Sequence, residues 1–388
     1  MRMRIKESER SMVNEPIRIA QVIGKANLSG VDTVVMEYYR HINRERIQFD
    51  FIIDGYDETP VDEEILQLGG CIYKVAPYEQ NVFESVNQWS KIFKENRYQM
   101  VHAHLNTLNV FPLYAAWRAG VPVRITHNHS TAASGEGKKT KMKYVLRLLA
   151  RLFATHYCAC SAFAGKWLFG ESFYDSGKVR LIKNAIDIEK FSYNEQVRNR
   201  IRREFHLDGK LVVGHVGRFV YQKNHDFLID IFSEIHKENA DAVLVMVGSG
   251  ELEQEIRQKA ESFGLTGSAL FLGIRNNVND ILQAMDVFLF PSHYEGLGMA
   301  VIEAQAAGLL TIVSEAVPRE AKITDLMEYC NLSQPASVWA EKVLALIKAG
   351  SYERQTQNEE LEQAGYDIIE EANRLQGWYE AVSIKQNI

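Results

Sequence analysis

VFLFPSHYEGLGMAVIEAQAAG, residues 287 to 308, decides how this chain is read. Val287 to Phe290 is an unbroken apolar run, closed by Pro291 and Ser292. Gly296 and Gly298 then permit a sharp bend, and the breaker-free segment from Met299 is rich in helix formers. Strand, glycine turn and helix make half of a βαβ crossover. A continuous apolar run marks a strand covered on both faces, which is the habit of parallel sheets. Two carboxylates, Glu295 and Glu303, stand eight positions apart on either side of the helix start.

Moving outward, the same unit recurs. IRIAQVI (17–23), FDFIID (49–54), CIYKVA (71–76), MVHAH (100–104), VRITHNH (123–129), THYCAC (155–160) and VRLIKNA (179–185) read as strands, each followed by an amphipathic stretch. A charged segment, 187–210, interrupts the cycle. It restarts with LVVGHVG (211–217), AVLVMVG (242–248), ALFLG (269–273), VFLFPS (287–292) and LLTIVS (309–314). The expectation is an α/β chain of two doubly wound, Rossmann-like domains, 1–185 and 186–357. A helical segment, 358–388, is expected to pack back towards the first domain. Ligands of such sheets bind at the carboxyl ends of the strands, here in the cleft between the domains.

Composition excludes several classes. The net charge of −6 argues against a general nucleic-acid binder. It conceals an asymmetry: residues 1–190 hold 26 Lys+Arg against 21 Asp+Glu, so 191–388 hold 44 − 26 = 18 against 50 − 21 = 29. Four cysteines, with Cys158 and Cys160 lacking a completing ligand cluster, predict reduced thiols in a cytoplasmic protein and no metal site. The polar start MRMRIKESERSMVNEP is not expected to act as a signal peptide, and no apolar run reaches membrane-spanning length.

Three glycine or basic turns are candidate contacts for an anion. The loop GKANLSG (24–30) opens a helix, so Gly30 places bare amides at the carboxyl end of the first strand. It is not G-x-G-x-x-G, which disfavours a dinucleotide. Arg218 and Lys223 follow the first strand of the second series and suit a diphosphate, one as a planar fork and one as a point charge. The amides of Leu297, Gly298 and Met299 form a phosphate cradle, and Glu295 and Glu303 supply acceptors for paired hydroxyls.

At this point the residues resemble a family. Glu295 to Glu303 looks like the E-x7-E motif of retaining glycosyltransferases of family four, which have the GT-B fold. VGRFVYQKN (216–224), LVMVGSGELEQEI (244–256), FLGIRNNVNDILQAMDVFLFPS (271–292) and KNAIDIEKF (183–191) match the family pattern as well. GVDTVVMEYYRHI (30–42) and ITHNHS (125–130) are similar to members that build bacterial exopolysaccharide or capsule.

The resemblance implies roles at matching positions. Arg218 and Lys223 would neutralise the donor diphosphate, Glu295 would hold sugar hydroxyls and Glu303 the ribose. Gly30, Gly296, Leu297, Gly298 and Met299 would meet the phosphates, and Ile274 and Arg275 would frame the nucleobase. His129 or His127 would lie beside the reacting sugar, with His129 favoured because Ser130 follows it. His102 and His104 read as ordinary satisfied polar groups. The implied activity is metal-independent, retaining transfer from a nucleotide-sugar, expected to be a UDP-sugar, to a glycan or lipid-linked acceptor. A sugar-nucleotide 2-epimerase of the same fold and a non-catalytic sugar-nucleotide-binding subunit are the alternatives. The stretch KKTKMKYVLRLLARLF (138–153) is expected to form one amphipathic helix, with Lys139, Lys143, Arg147 and Arg151 drawn to an anionic membrane surface.

Overall fold

The computed structural model describes residues 15–26, 30–131, 138–348 and 354–384, with the side chains of 138–140 excepted. In the first half the apolar runs form β1 (Ile17–Ile23), β2 (Ile47–Asp54), β3 (Ile72–Val75), β4 (Met100–Ala103), β5 (Val123–Asn128), β6 (His156–Ala159) and β7 (Val179–Leu181). They pair parallel in the order β3-β2-β1-β4-β5-β6-β7. In the second half β8 (Val212–Val216), β9 (Val243–Val247), β10 (Ala269–Phe271), β11 (Val287–Phe290), β12 (Leu310–Ser314) and β13 (Met327–Cys330) pair in the order β10-β9-β8-β11-β12-β13. Every residue of β2, β9 and β11 is buried, as strands with helices on both faces require. β13 escaped the sequence reading because MEYC alternates polar and apolar residues at a sheet edge.

Strand order reverses direction between β1 and β4 in the first sheet and between β8 and β11 in the second. Those are the switch points, where loops diverge and leave a crevice. Gly24 leaves β1 at the first of them. Arg218 and the Glu295 turn leave β8 and β11 at the second.

The chain crosses between the two cores twice, side by side. The Ile186 amide donates to the Tyr366 carbonyl at 2.9 Å, and the Ile368 amide to the Ile186 carbonyl at 3.0 Å. Leu361 and Tyr366 belong to the apolar core of the second sheet. Ile368, Ala372, Leu375, Tyr379 and Val382 pack with Ile19, Phe49 and Ile125 of the first. The segment 358–388 is therefore divided at Asp367: its short helix Asn358–Gln363 stays with the second domain, and the helix Ile368–Ile384 lies on the first.

The stretch 138–153 departs from the single helix expected of it. The helix ends at Arg147, and turns carry the chain through Leu152. Two of its basic side chains lie against aromatic rings, although Arg151, like Lys141, stays exposed. Arg147 lies over the Trp167 ring and Arg151 over Phe173, at 5.6 and 4.6 Å from the ring centroids. Cation–π contact competes with hydration for these groups. Val145, Leu148 and Leu152 are exposed as well, at 62%, 81% and 62%. Lys139 falls outside the described side chains.

Candidate functional site

At the switch point of the second sheet, β8 ends in Val216 and hands over to Gly217 and Arg218; β11 ends in Phe290 and hands over to Pro291. Two residues of the glycosyltransferase-like pattern meet there directly. Lys223 Nζ donates to Glu295 Oε1 at 2.6 Å and stands 4.5 Å from the Phe290 ring centroid. The Lys223 stem runs along Gly217, where a Cβ would stand only 3.2 Å from its Cγ. Arg218 is exposed at the same strand end. Beneath Lys223 lie His215 and His225, both pushed down in pKa by burial first and by the nearby Lys223 in part, His215 to about 4. They are neutral at physiological pH, so they add no competing positive charge below the two basic residues.

The turn that follows is pressed against the other domain. Gly296 is in contact with the backbone of His129 and Ser130; a Cβ there would fall 2.3 Å from the His129 carbonyl oxygen. Thr131 Oγ1 donates to the Glu295 carbonyl at 3.3 Å, and Ser161 Oγ to the Gly296 carbonyl at 2.8 Å. Gly298, at φ 91°, then opens the helix Met299–Ala306, which no side chain caps. Its first amides are thus left for water or a ligand, and the helix dipole favours an anion there. Leu297 is buried at this bend.

On the first domain the sequence pair His127 and His129 joins His102 and His104 in one buried cluster. His-x-His in two neighbouring strands puts both members of each pair on one face. That alternation was the readable signal for the cluster. His104 Nδ1 and His129 Nε2 are 2.9 Å apart, and His104 Nε2 is 2.9 Å from Gln21 Oε1. His127 Nδ1 is 3.2 Å from His102 Nε2, whose other nitrogen is 2.7 Å from the Tyr379 hydroxyl. Burial drives all four imidazoles down in pKa, His129 to about 4. All four are therefore neutral at pH 7. His102 and His104 are satisfied, as expected, each through one histidine assigned to the site and one other partner, Tyr379 or Gln21. Of the two candidates, His129 adjoins the Gly296 turn, while His127 lies within β5 against His102.

The remaining assignments are more dispersed. Glu303, one turn into its helix, has its pKa raised to about 7, chiefly by burial, then by the Glu37 carboxylate of the first domain, with Lys190 opposing. It thus lies in the gap between the domains, near the helix Val31–His41 that Gly30 opens at φ 71° without a side-chain cap. Residues 27–29 of the Gly30 loop lie outside the described residues. Ile274 and Arg275 follow the edge strand β10; Ile274 is exposed, and Arg275 Nε donates to the Leu272 carbonyl at 2.9 Å. Sequence reasoning did not find Gln21, Glu37, Thr131, Ser161 or Asn184, because each acts across a contact between distant segments.

Two groups of described residues have donor atoms close enough to surround an ion: His102, His104 and His127, and Glu37, His41 and Asp187. Neither is a ready site. Both nitrogens of His102 and of His104 already hold hydrogen bonds. In the second group one Glu37 oxygen pairs with Arg40 at 2.7 Å, and Asp187 Oδ1 accepts from the Lys190 amide.

Comparison with known proteins gives this geometry a family. Residues 28–190 match the sequence profile described as Glycosyltransferase Family 4, and residues 197–361 the one described as Glycosyl transferases group 1. EpsF of Bacillus subtilis (strain 168), a protein whose name describes a glycosyltransferase, is 36% identical over 369 residues, covering 93% of this chain and 96% of its own. The chain belongs to glycosyltransferase family four. This glycosyltransferase is also 29% identical, over 77% of its length and 79% of the relative's, to the UDP-Gal:alpha-D-GlcNAc-diphosphoundecaprenol alpha-1,3-galactosyltransferase of Escherichia coli. In structure it is similar to Anabaena HepE in complex with UDP-glucose, with a TM-score of 0.78 at 17% identity over 94% of this chain and 99% of that one. The two facing sheets of the glycosyltransferase are accordingly the GT-B fold.

Proposed function

We propose that this glycosyltransferase moves a sugar from a UDP-sugar to a lipid-linked or glycan acceptor in exopolysaccharide or capsule assembly, with retention at C1 and without a metal ion. The observation that carries the reading is the junction of Gly296 with His129. It sets the Lys223–Glu295 pair of one domain beside the histidine of the other, at the switch point where a donor would lie. The names of relatives support the substrate class: EpsF, the undecaprenol-linked galactosyltransferase, and the capsular polysaccharide glycosyltransferase CapH of Staphylococcus aureus, 24% identical over 340 residues.

Negative charge grows on the β-phosphate as the glycosidic bond breaks. Arg218, Lys223 and the uncapped amides at Gly298 and Met299 stabilise that charge. Glu295 holds hydroxyls of the sugar, and Glu303 those of the ribose, each as a hydrogen-bond acceptor. Ile274 and Arg275 border the nucleobase, and the Gly30 helix start faces the phosphates from the other domain. Two basic side chains and a helix start perform the charge neutralisation for which other transferases use a metal. Acceptor attack on the same face as the departing phosphate preserves the anomeric configuration, and the leaving phosphate takes the acceptor's proton.

No helix among the described residues is long and apolar enough to cross a membrane. The acceptor lipid is reached instead from the cytoplasmic surface, by the outward apolar positions Val145, Leu148 and Leu152 beside exposed Lys141. The experiment that tests the whole reading incubates the protein with a panel of UDP- and GDP-sugars, with and without lipid acceptor. Acceptor-dependent UDP release, with an α-linked product from an α-linked donor, is the expected result. Release that needs no acceptor and yields an epimerised sugar would replace it with an epimerase.

A further inference from the structure

Both nitrogens of His102 and His104 are engaged, yet His127 Nε2 and His129 Nδ1 are buried without a hydrogen-bond partner. Asn184 lies beside the His129 ring and acts to raise its pKa, and Asn184 Oδ1 and His129 Nδ1 are both buried without a hydrogen-bond partner, so a lone pair at Nδ1 requires the Asn184 amide to turn its NH2 towards the ring. A neutral imidazole carries one N–H, so every bond in such a cluster constrains the next. The constraint begins at Gln21 on β1, which is 1% exposed. Its carbonyl oxygen can only accept, so the 2.9 Å contact makes His104 Nε2 the protonated nitrogen. His104 Nδ1 is then a lone pair, and the 2.9 Å contact to His129 requires the proton on His129 Nε2. What remains to His129 is a lone pair at Nδ1.

The Gln21 amide sets the other branch. It donates to the Tyr379 hydroxyl at 3.5 Å, and that hydroxyl donates to His102 Nδ1 at 2.7 Å. His102 Nε2–H then donates to His127 Nδ1 at 3.2 Å, leaving His127 with a buried N–H. One glutamine thus gives two adjacent rings, 3.9 Å apart at their centroids, opposite hydrogen-bonding characters.

We propose that Gln21 is a positioning residue that, through His104, fixes His129 as the Nε2–H tautomer, so that His129 meets the donor sugar as a hydrogen-bond acceptor for a hydroxyl and not as an acid towards the leaving phosphate. The inference rests on the reading that His129 borders the donor. That reading draws on the contact of the His129 backbone with the Gly296 turn. The neutral state imposed by burial agrees with it, since an acid would need the second proton that this environment opposes. The orphaned nitrogen is also a cost in the absence of a partner. A hydroxyl, which donates and accepts, is the group that fits between a bare acceptor and its N–H neighbour.

The test is long-range proton–nitrogen NMR on the full chain labelled with 15N-histidine, with the His129 signals assigned by their loss in His129→Asn. In the unsubstituted protein at neutral pH, His129 is expected to show a protonated Nε2 and an unprotonated Nδ1. The reverse pattern, which follows if the Gln21 amide nitrogen faces His104, overturns the inference in the unsubstituted protein itself. Gln21→Glu retains the acceptor and is expected to keep the His129 tautomer. Gln21→Met removes it, and is expected to mix the tautomers and lower turnover by about tenfold, the equivalent of one hydrogen bond. An unchanged His129 signature in Gln21→Met overturns the role of Gln21. Full transfer by His129→Asn would instead reject the placement of His129 beside the donor, and the NMR result would stand apart from that failure.

Discussion

Gly296→Ala probes the seam on which the site depends. The added methyl would fall 2.3 Å from the His129 carbonyl oxygen, 2.8 Å from Ser130 Cα and 2.9 Å from the His129 carbonyl carbon. All three are backbone atoms, so no side chain can swing aside. Ordinary contact begins at 3.4 Å, and 3.4 − 2.3 leaves the two backbones about 1.1 Å too close. The seam must part by that amount, stretching the Ser161 bond from 2.8 Å and the Thr131 bond from 3.3 Å. Glu295, immediately before the glycine, is displaced with it. A misplacement of about 1 Å at a reacting centre costs roughly 10²-fold in rate. Leu297, the next residue, belongs to the apolar core of the second domain, so strain there adds to roughly 1–2 kcal/mol of lost hydrogen bonding and the melting temperature should fall by several degrees. The assay is UDP release at saturating donor beside a thermal melt. Near-normal turnover in a normally folded Gly296→Ala protein would refute the claim that the Gly296–His129 contact assembles the site.

Lys223→Met leaves Glu295 as a buried carboxylate without its cation; a stability loss of about 3 kcal/mol is expected from denaturant unfolding, and adding Glu295→Gln should restore stability but not transfer. Glu303 carries a pH signature. Its folded pKa, about 7, lies above its ordinary value of 4.5, so the folded state binds the proton more tightly and this group makes stability fall as pH rises from about 4.5 to 7. Because the ionised form is the better acceptor for a ribose diol, donor KM should fall over the upper part of the same window, and Glu303→Gln should flatten both trends. Asp substitutions at Val145 and Leu148 should reduce co-sedimentation with anionic vesicles at low salt while leaving UDP release from a soluble acceptor analogue intact.

Much of the architecture was legible because it is carried by local pattern. Unbroken apolar strands such as VFLFPS and AVLVMVG announce parallel sheets, and the glycines after them announce the turns at the strand ends. The E-x7-E segment and VGRFVYQKN carried the family resemblance for the same reason. What was hidden depends on contacts between distant segments. Nothing local says that Lys223 is ion-paired to Glu295, that Gln21 governs His129, or that the chain recrosses at Asp367. The extent of the helix in 138–153 was misjudged because the four-residue spacing of its charges continues past Arg147, where the helix ends. The tertiary fold supplies Trp167 and Phe173 as partners for Arg147 and Arg151, and leaves Val145, Leu148 and Leu152 exposed beside Lys141.

The central claim is that a sugar diphosphate is neutralised at the end of β8. Arg218 tests it most directly, being exposed there and outside both hydrophobic cores. The decisive measurement is acceptor-dependent UDP release by the wild-type protein and by Arg218→Ala at saturating UDP-sugar. The account predicts a loss of about 10²–10³-fold in turnover, the scale of removing one preorganised donor from developing charge, with an unchanged melting temperature. Turnover by Arg218→Ala equal to that of the wild type would contradict it.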